Sequence, residues 1–98
     1  MRFEWDPGKN DSNLRKHGIS LEQATKLFRN DEDILEVYDN EHSAGEDRFI
    51  AIGRLGDEVV VVVFTEPAED TIRLISARPA GKAERVRFET YWREYHER

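Results

Sequence analysis

Five valines followed by a phenylalanine, Val59 to Phe64, constrain the fold more than any other stretch. The run is far too short to span a membrane. Continuous and rich in β-branched residues, it reads as a central strand covered on both faces. A chain of 98 residues has room for one core, so a single domain spanning residues 1–98 should be arranged around this strand.

The neighbouring stretches supply its partners. Arg48 to Arg54 alternates, with Ile50 and Ile52 on one face and Phe49 and Ala51 on the other. Gly56 and Asp57 make the turn into the valine run. Glu66 to Asp70, with Pro67, makes the next turn, and Thr71 to Arg78 returns antiparallel. There Ile72 and Leu74 are expected on one face and Ile75 and Ala77 on the other. Arg78 falls where the apolar pattern ends, and Pro79 prevents a regular continuation. Ile34 to Tyr38 and Arg2 to Trp5 read as further strands.

Helices are announced by their ends. Asp6 and Pro7 start one, which runs to about His17 and stops at Gly18. Ser20 and Gln23 have capping-box spacing, and Leu21, Ala24, Leu27 and Phe28 form a buried stripe ended by the acidic run Asp31 to Asp33. Gly81 to about Tyr95 is the closing helix, with Phe88, Tyr91, Trp92 and Tyr95 on one stripe. The order β-α-α-β-β-β-β-α defines an α+β fold. Its short turns imply an antiparallel sheet of about four to five strands, with two N-terminal helices and one C-terminal helix on one face.

Composition narrows the chemistry. No cysteine is present, so neither a disulfide nor a thiolate zinc site can form, which fits the cytoplasm. No apolar run is long enough for a membrane span, and no secretory leader pattern is present. His17, His42 and His96 lack ligand spacing, and residues 31–33 lack a calcium-loop pattern, so no metal is expected. Neither a P-loop nor a dinucleotide fingerprint occurs, and no cofactor is indicated. The net charge is −6, but it is unevenly spread. Residues 1–30 carry six cations and four acids, residues 31–70 two and thirteen, and residues 71–98 seven and four. An acidic chain of this kind can still present a basic face, and its middle can attract a basic partner.

The cations gather at element ends. Arg78, Lys82 and Arg85 lie within one short stretch at the close of a buried strand, a candidate anion site for which an RNA phosphate is the proposed ligand. A planar guanidinium there can grip two phosphate oxygens. Lys16, His17 and Gly18 have a complete structural explanation as a helix C-terminus. Their functional reading is a phosphate clamp and a proton carrier. Arg48 and Arg54 bracket a strand, and Glu84 can serve as a base or pair with a nearby cation.

Three segments, FEWDPGK with SNLRKHGISLEQATKLF, RFIAIGRL, and RLISARPAGKAER, occur in order over about residues 3–89. Together they resemble the BrnT family, the toxin halves of type II toxin–antitoxin pairs with a RelE-like ribonuclease fold. The resemblance implies a small RNase that blocks translation and is held inactive by a BrnA-like antitoxin. The two would form a heterotetramer that touches DNA only through the antitoxin. By motif, Lys16 and His17 match the family's K-H, and Arg48 the Arg before its IG strand. Arg78 matches the Arg of its ISAR segment, and Glu84 and Arg85 its E-R pair. Two positions depart: Glu66-Pro67 stands where members often carry Arg, and Phe88 where they often carry Tyr.

Such an enzyme needs no metal, because RNA supplies its own 2′-hydroxyl nucleophile. Arg48 and Arg78 are the expected clamp on the phosphorane, with Lys16 as a second clamp. His17 is the first candidate acid or base and Glu84 the fallback. Arg54, Lys82 and Arg85 are expected on flanking phosphates. The alternative is a non-catalytic homologue that binds its antitoxin and supports operon repression.

Overall fold

A computed structural model describes residues 1–96, with the side chains of residues 30–32 left aside. Asp31 and Glu32 of the expected acidic stop therefore lie outside the described side chains. Strand β1 (Arg2–Glu4) leads into helix α1 (Pro7–His17). Asp6 caps α1 by accepting from the Lys9 N–H, and Gly18 ends it at φ 72°, a left-handed backbone that glycine adopts without a Cβ clash. Ser20 and Gln23 form both halves of a capping box on helix α2 (Leu21–Ala24). The expected longer helix tightens there into a 3₁₀ segment, Thr25–Asp33. The Thr25 hydroxyl donates to the Glu22 carbonyl at 2.6 Å, a local bond that competes with the α-helical ladder.

Four more strands follow: β2 (Leu35–Tyr38), β3 (Arg48–Leu55), β4 (Glu58–Ala68) and β5 (Thr71–Pro79). Helix α3 (Lys82–His96) closes the chain. The strands form one sheet in the order β1-β5-β4-β3-β2. β2 to β5 are an antiparallel meander, as the short turns imply, but β1 joins the edge of β5 in parallel. The sheet is therefore mixed.

The expectation that the helices share one face is corrected. Phe28, Leu27, Ala24 and Leu21 pack on Val60, Val62, Phe64, Ile72 and Leu74. Phe88 of α3 packs on Val59 and Val61, the alternate residues of β4, and on Ile52 of β3. A strand apolar at every position exposes hydrocarbon on both sides, and both sides must be covered. The 3₁₀ segment and Ile34 just after it lie so close to β3 that a Cβ on Gly53 would come within 2.8 Å of Ile34 Cγ2 and 2.9 Å of Leu27 Cδ1.

A second correction concerns β5. Register slips between Val63 paired with Ser76 and Phe64 paired with Leu74, which leaves Ile75 as an extra residue. That bulge returns Ala77 to the face of Ile72 and Leu74 rather than the opposite one. A further irregularity falls at Pro67, so β4 continues through the expected turn to Ala68. No described helix is long and apolar enough to cross a membrane.

Candidate nucleic-acid interface

α3 covers only part of its face of the sheet. Beyond it, Ile50 of β3, Val63 of β4, and Ile75 and Ser76 of β5 floor an open cleft of about 320 Å³. Arg48 and Arg78 stand at its sides, and Asp39, Glu41 and His42 of the loop between β2 and β3 complete the wall. Arg48 reaches this face because it alternates in step with Ile50 and Ile52. Arg78 reaches it because the bulge at Ile75 resets the alternation of β5.

The two arginines differ in state. The Arg48 guanidinium makes no hydrogen bond or ion pair with a described residue. Arg78 is forked onto Glu84, Nη1 donating to Oε1 and Nη2 to Oε2, each at 2.7 Å. Glu84 Oε1 also accepts from the Gly81 N–H at 2.8 Å, so one carboxylate caps α3 and grips β5. The hydrogen bond to Arg78 holds the Glu84 carboxyl below its ordinary value, and the same bond raises Arg78. Glu84 is thus ionised, and a weakened base.

The remaining expected site residues lie elsewhere. Lys16 and His17 sit exposed at the end of α1, without a hydrogen bond or ion pair to a described residue, and do not line the cleft. The reason is Asn13, one turn earlier, which docks α1 against β5. Its Nδ2 donates to Ala77 O at 2.7 Å and its Oδ1 accepts from Ala77 N at 3.1 Å. This leads the chain into the core on the far face. Arg54 lies over the rings of Phe88 and Trp92, 5.7 and 5.1 Å from their centroids. Arg54 and Arg85 line a separate cleft along the other flank of α3, opposed by Asp57, Glu58 and Glu89. Arg85 donates to the Ala80 carbonyl at 3.2 Å, and Lys82 is exposed.

Sequence reasoning passed over His42, weighed only as a metal ligand. Its ring lines the cleft with Nδ1 3.0 Å from Asp39 Oδ2. The readable signal was an acid three residues before a histidine, just after a strand. The two departures from the family pattern both fall outside the cleft. Phe88 is fully buried in the α3 core, and Pro67 lies at the β4–β5 irregularity.

The protein is an α+β domain whose five-stranded mixed sheet is covered by helices on both faces. The chain is similar to the crystal structure of the Brucella abortus ribonuclease toxin BrnT, with a TM-score of 0.67 and 23% identity, covering 84% of this chain and 99% of that one. A family model described as "Ribonuclease toxin, BrnT, of type II toxin-antitoxin system" matches residues 5–84. The chain belongs to the BrnT family of ribonuclease toxins, whose type II systems pair each toxin with an antitoxin. No curated protein matches it.

Proposed function

We propose that this chain is a metal-independent endoribonuclease that cuts RNA and so inhibits translation until a BrnA-like antitoxin neutralises it. The reading is carried by Arg48 and Arg78, which arrive from separate strands at one open cleft. RNA brings its own nucleophile, so the protein has only to hold the phosphate, stabilise its developing charge and move a proton. Arg48 is the free half of the clamp. Arg78 enters it by exchanging Glu84 for phosphate oxygens of the same bidentate geometry. Lys82, Arg54, Arg85, Lys16 and His17 lie outside this cleft, and the clamp is assigned to Arg48 and Arg78 alone. The antitoxin carries the DNA contact, in a complex of two toxins and two antitoxins.

An end-labelled single-stranded oligoribonucleotide tests this. With EDTA present, the purified chain should leave 2′,3′-cyclic phosphate and 5′-hydroxyl ends. Arg48→Ala and Arg78→Ala should each lower kcat by about 10²–10³. A strict requirement for Mg²⁺ overturns the mechanism.

One observation favours a second reading. Both ends of Arg78 are already occupied by Glu84, as in a purely structural staple. The chain is then a non-cutting homologue that binds its antitoxin and supports repression. Intact oligoribonucleotide, and harmless expression without the antitoxin, identify that case.

A further inference from the structure

The cleft wall carries an aspartate–histidine pair. His42 Nδ1 lies 3.0 Å from Asp39 Oδ2 and 3.2 Å from Oδ1. An ionised carboxylate only accepts hydrogen bonds, so Nδ1 carries the proton and a neutral ring keeps its lone pair on Nε2. No described group bonds Nε2. The Asp39 side chain is 11% exposed and that of His42 63%, so the acid is fixed while the imidazole is open to the cleft.

The same loop also fixes Arg48. Asp39 N donates to Arg48 O at 2.9 Å, the Ser43 hydroxyl donates to Asp39 O, and Arg48 N donates to Ser43 Oγ at 3.0 Å. The anchor of the imidazole and the anchor of the free arginine are one hydrogen-bonded unit. Proton acceptor and phosphate clamp are therefore held in a common frame, as an oriented reaction requires.

From this geometry we infer that His42 is the general base of the cleft, with Asp39 as its positioning residue, an assignment that rests on the ribonuclease reading. His42 Nε2 takes the 2′-hydroxyl proton as the 2′-oxygen bonds to phosphorus. The bond from phosphorus to the 5′-oxygen breaks, and that oxygen takes a proton from water. His42 then returns its own proton to solvent. Among the described residues His17 has no carboxylate to orient it, and it does not line the cleft. The charged groups facing His42 are Asp39 and Glu41 from its own loop, Arg48 from β3, and Arg78 from β5 with Glu84 behind it.

The test is the pH profile of kcat/KM on the end-labelled oligoribonucleotide with EDTA present. His42→Gln should lose about 10²–10⁴-fold in kcat with KM unchanged, and the acid limb of the profile should vanish. Asp39→Asn should lower kcat with KM unchanged, and free imidazole should restore part of the rate to His42→Gly. Unchanged thermal midpoints separate these losses from unfolding. Wild-type rate and an intact limb in His42→Gln overturn the assignment while leaving the ribonuclease reading standing. So does transfer of the limb's loss to His17→Gln. A wild-type chain that binds the oligoribonucleotide without cutting it overturns the ribonuclease reading, and this assignment with it.

Discussion

Val60, Val62 and Phe64 of β4 enter a core closed by α2 and the 3₁₀ segment, while Val59, Val61 and Val63 face the other way. α3 covers the first two of that second set and stops short of Val63, which floors the cleft. One strand thus supplies a sealed face and a half-sealed one. On the sealed face Val60, Val62 and Phe64 are wholly committed to packing. On the other, the rigid sheet continues past the end of its cover, and side chains there can meet water and ligand without losing their support.

Truncation on the sealed face should have the largest effect. Phe64 is fully buried, with its ring 5.0 Å from that of Phe28 and 5.6 Å from that of Phe49. Phe64→Ala is expected to cost about 3–5 kcal/mol in urea unfolding. The sharper form uses adjacent residues of opposite facing. Val62→Ala should cost about 1.5–3 kcal/mol, and Val63→Ala no more than about half of that. Equal costs would mean that the cleft floor is as sealed as the core.

A middle-sized effect belongs to Asn13, which ties α1 to the edge of β5. Its amide stands in for a missing strand: past the end of β1 it satisfies both backbone groups of Ala77 and also donates to Ile19 O at 2.8 Å. Asn13→Ala leaves those groups unpaired and should cost about 1–3 kcal/mol. Because Ala77 precedes Arg78, the oligoribonucleotide KM should rise as well. A stability loss with KM unmoved would separate the α1 dock from the cleft.

Much of this was legible in the sequence, for reasons that are local. Asp6-Pro7, Gly18, the Ser20–Gln23 box and Gly56-Asp57 mark ends by backbone chemistry that needs no partner elsewhere in the chain. What failed was non-local. The valine run asks for cover on both faces, and reading all helices onto one face ignored that demand. The parallel docking of β1 on β5 joins residues about seventy positions apart, and no pattern in either segment announces it. The bulge at Ile75 is invisible in the alternation it breaks, yet it decides which way Ala77 and Arg78 face. For the site, Arg78 stood out as a cation at a strand end, while Arg48, unremarkable by itself, was picked out only by the family resemblance. His42 did not stand out, because its meaning depends on a cleft that the loop forms only once β3, β4 and β5 are aligned.

The smallest effect lies at the fork between Arg78 and Glu84, where the half-sealed face holds its own charge. The hydrogen bond from Arg78 lowers Glu84 from its ordinary value of 4.5, aided by the Gly81 N–H and opposed by burial. The unfolded carboxyl therefore binds its proton more readily than the folded one. The resulting stability is present above the unfolded value and is lost as pH falls through the lowered folded one. Arg78, raised in the folded state, stays charged throughout and adds no pH dependence in this range. With these side chains 43% and 31% exposed, solvent screens the pair and the gain is at most about 1 kcal/mol. Glu84→Gln should therefore be slightly less stable than the parent near about pH 7, with the gap closing below about pH 4. The same variant tests what the fork does for RNA. If Glu84 only holds Arg78 until phosphate displaces it, Glu84→Gln frees the guanidinium and lowers KM with kcat preserved. A fall in kcat without a change in KM would instead make Glu84 a participant in proton transfer, and would move the chemistry from the loop wall to the start of α3.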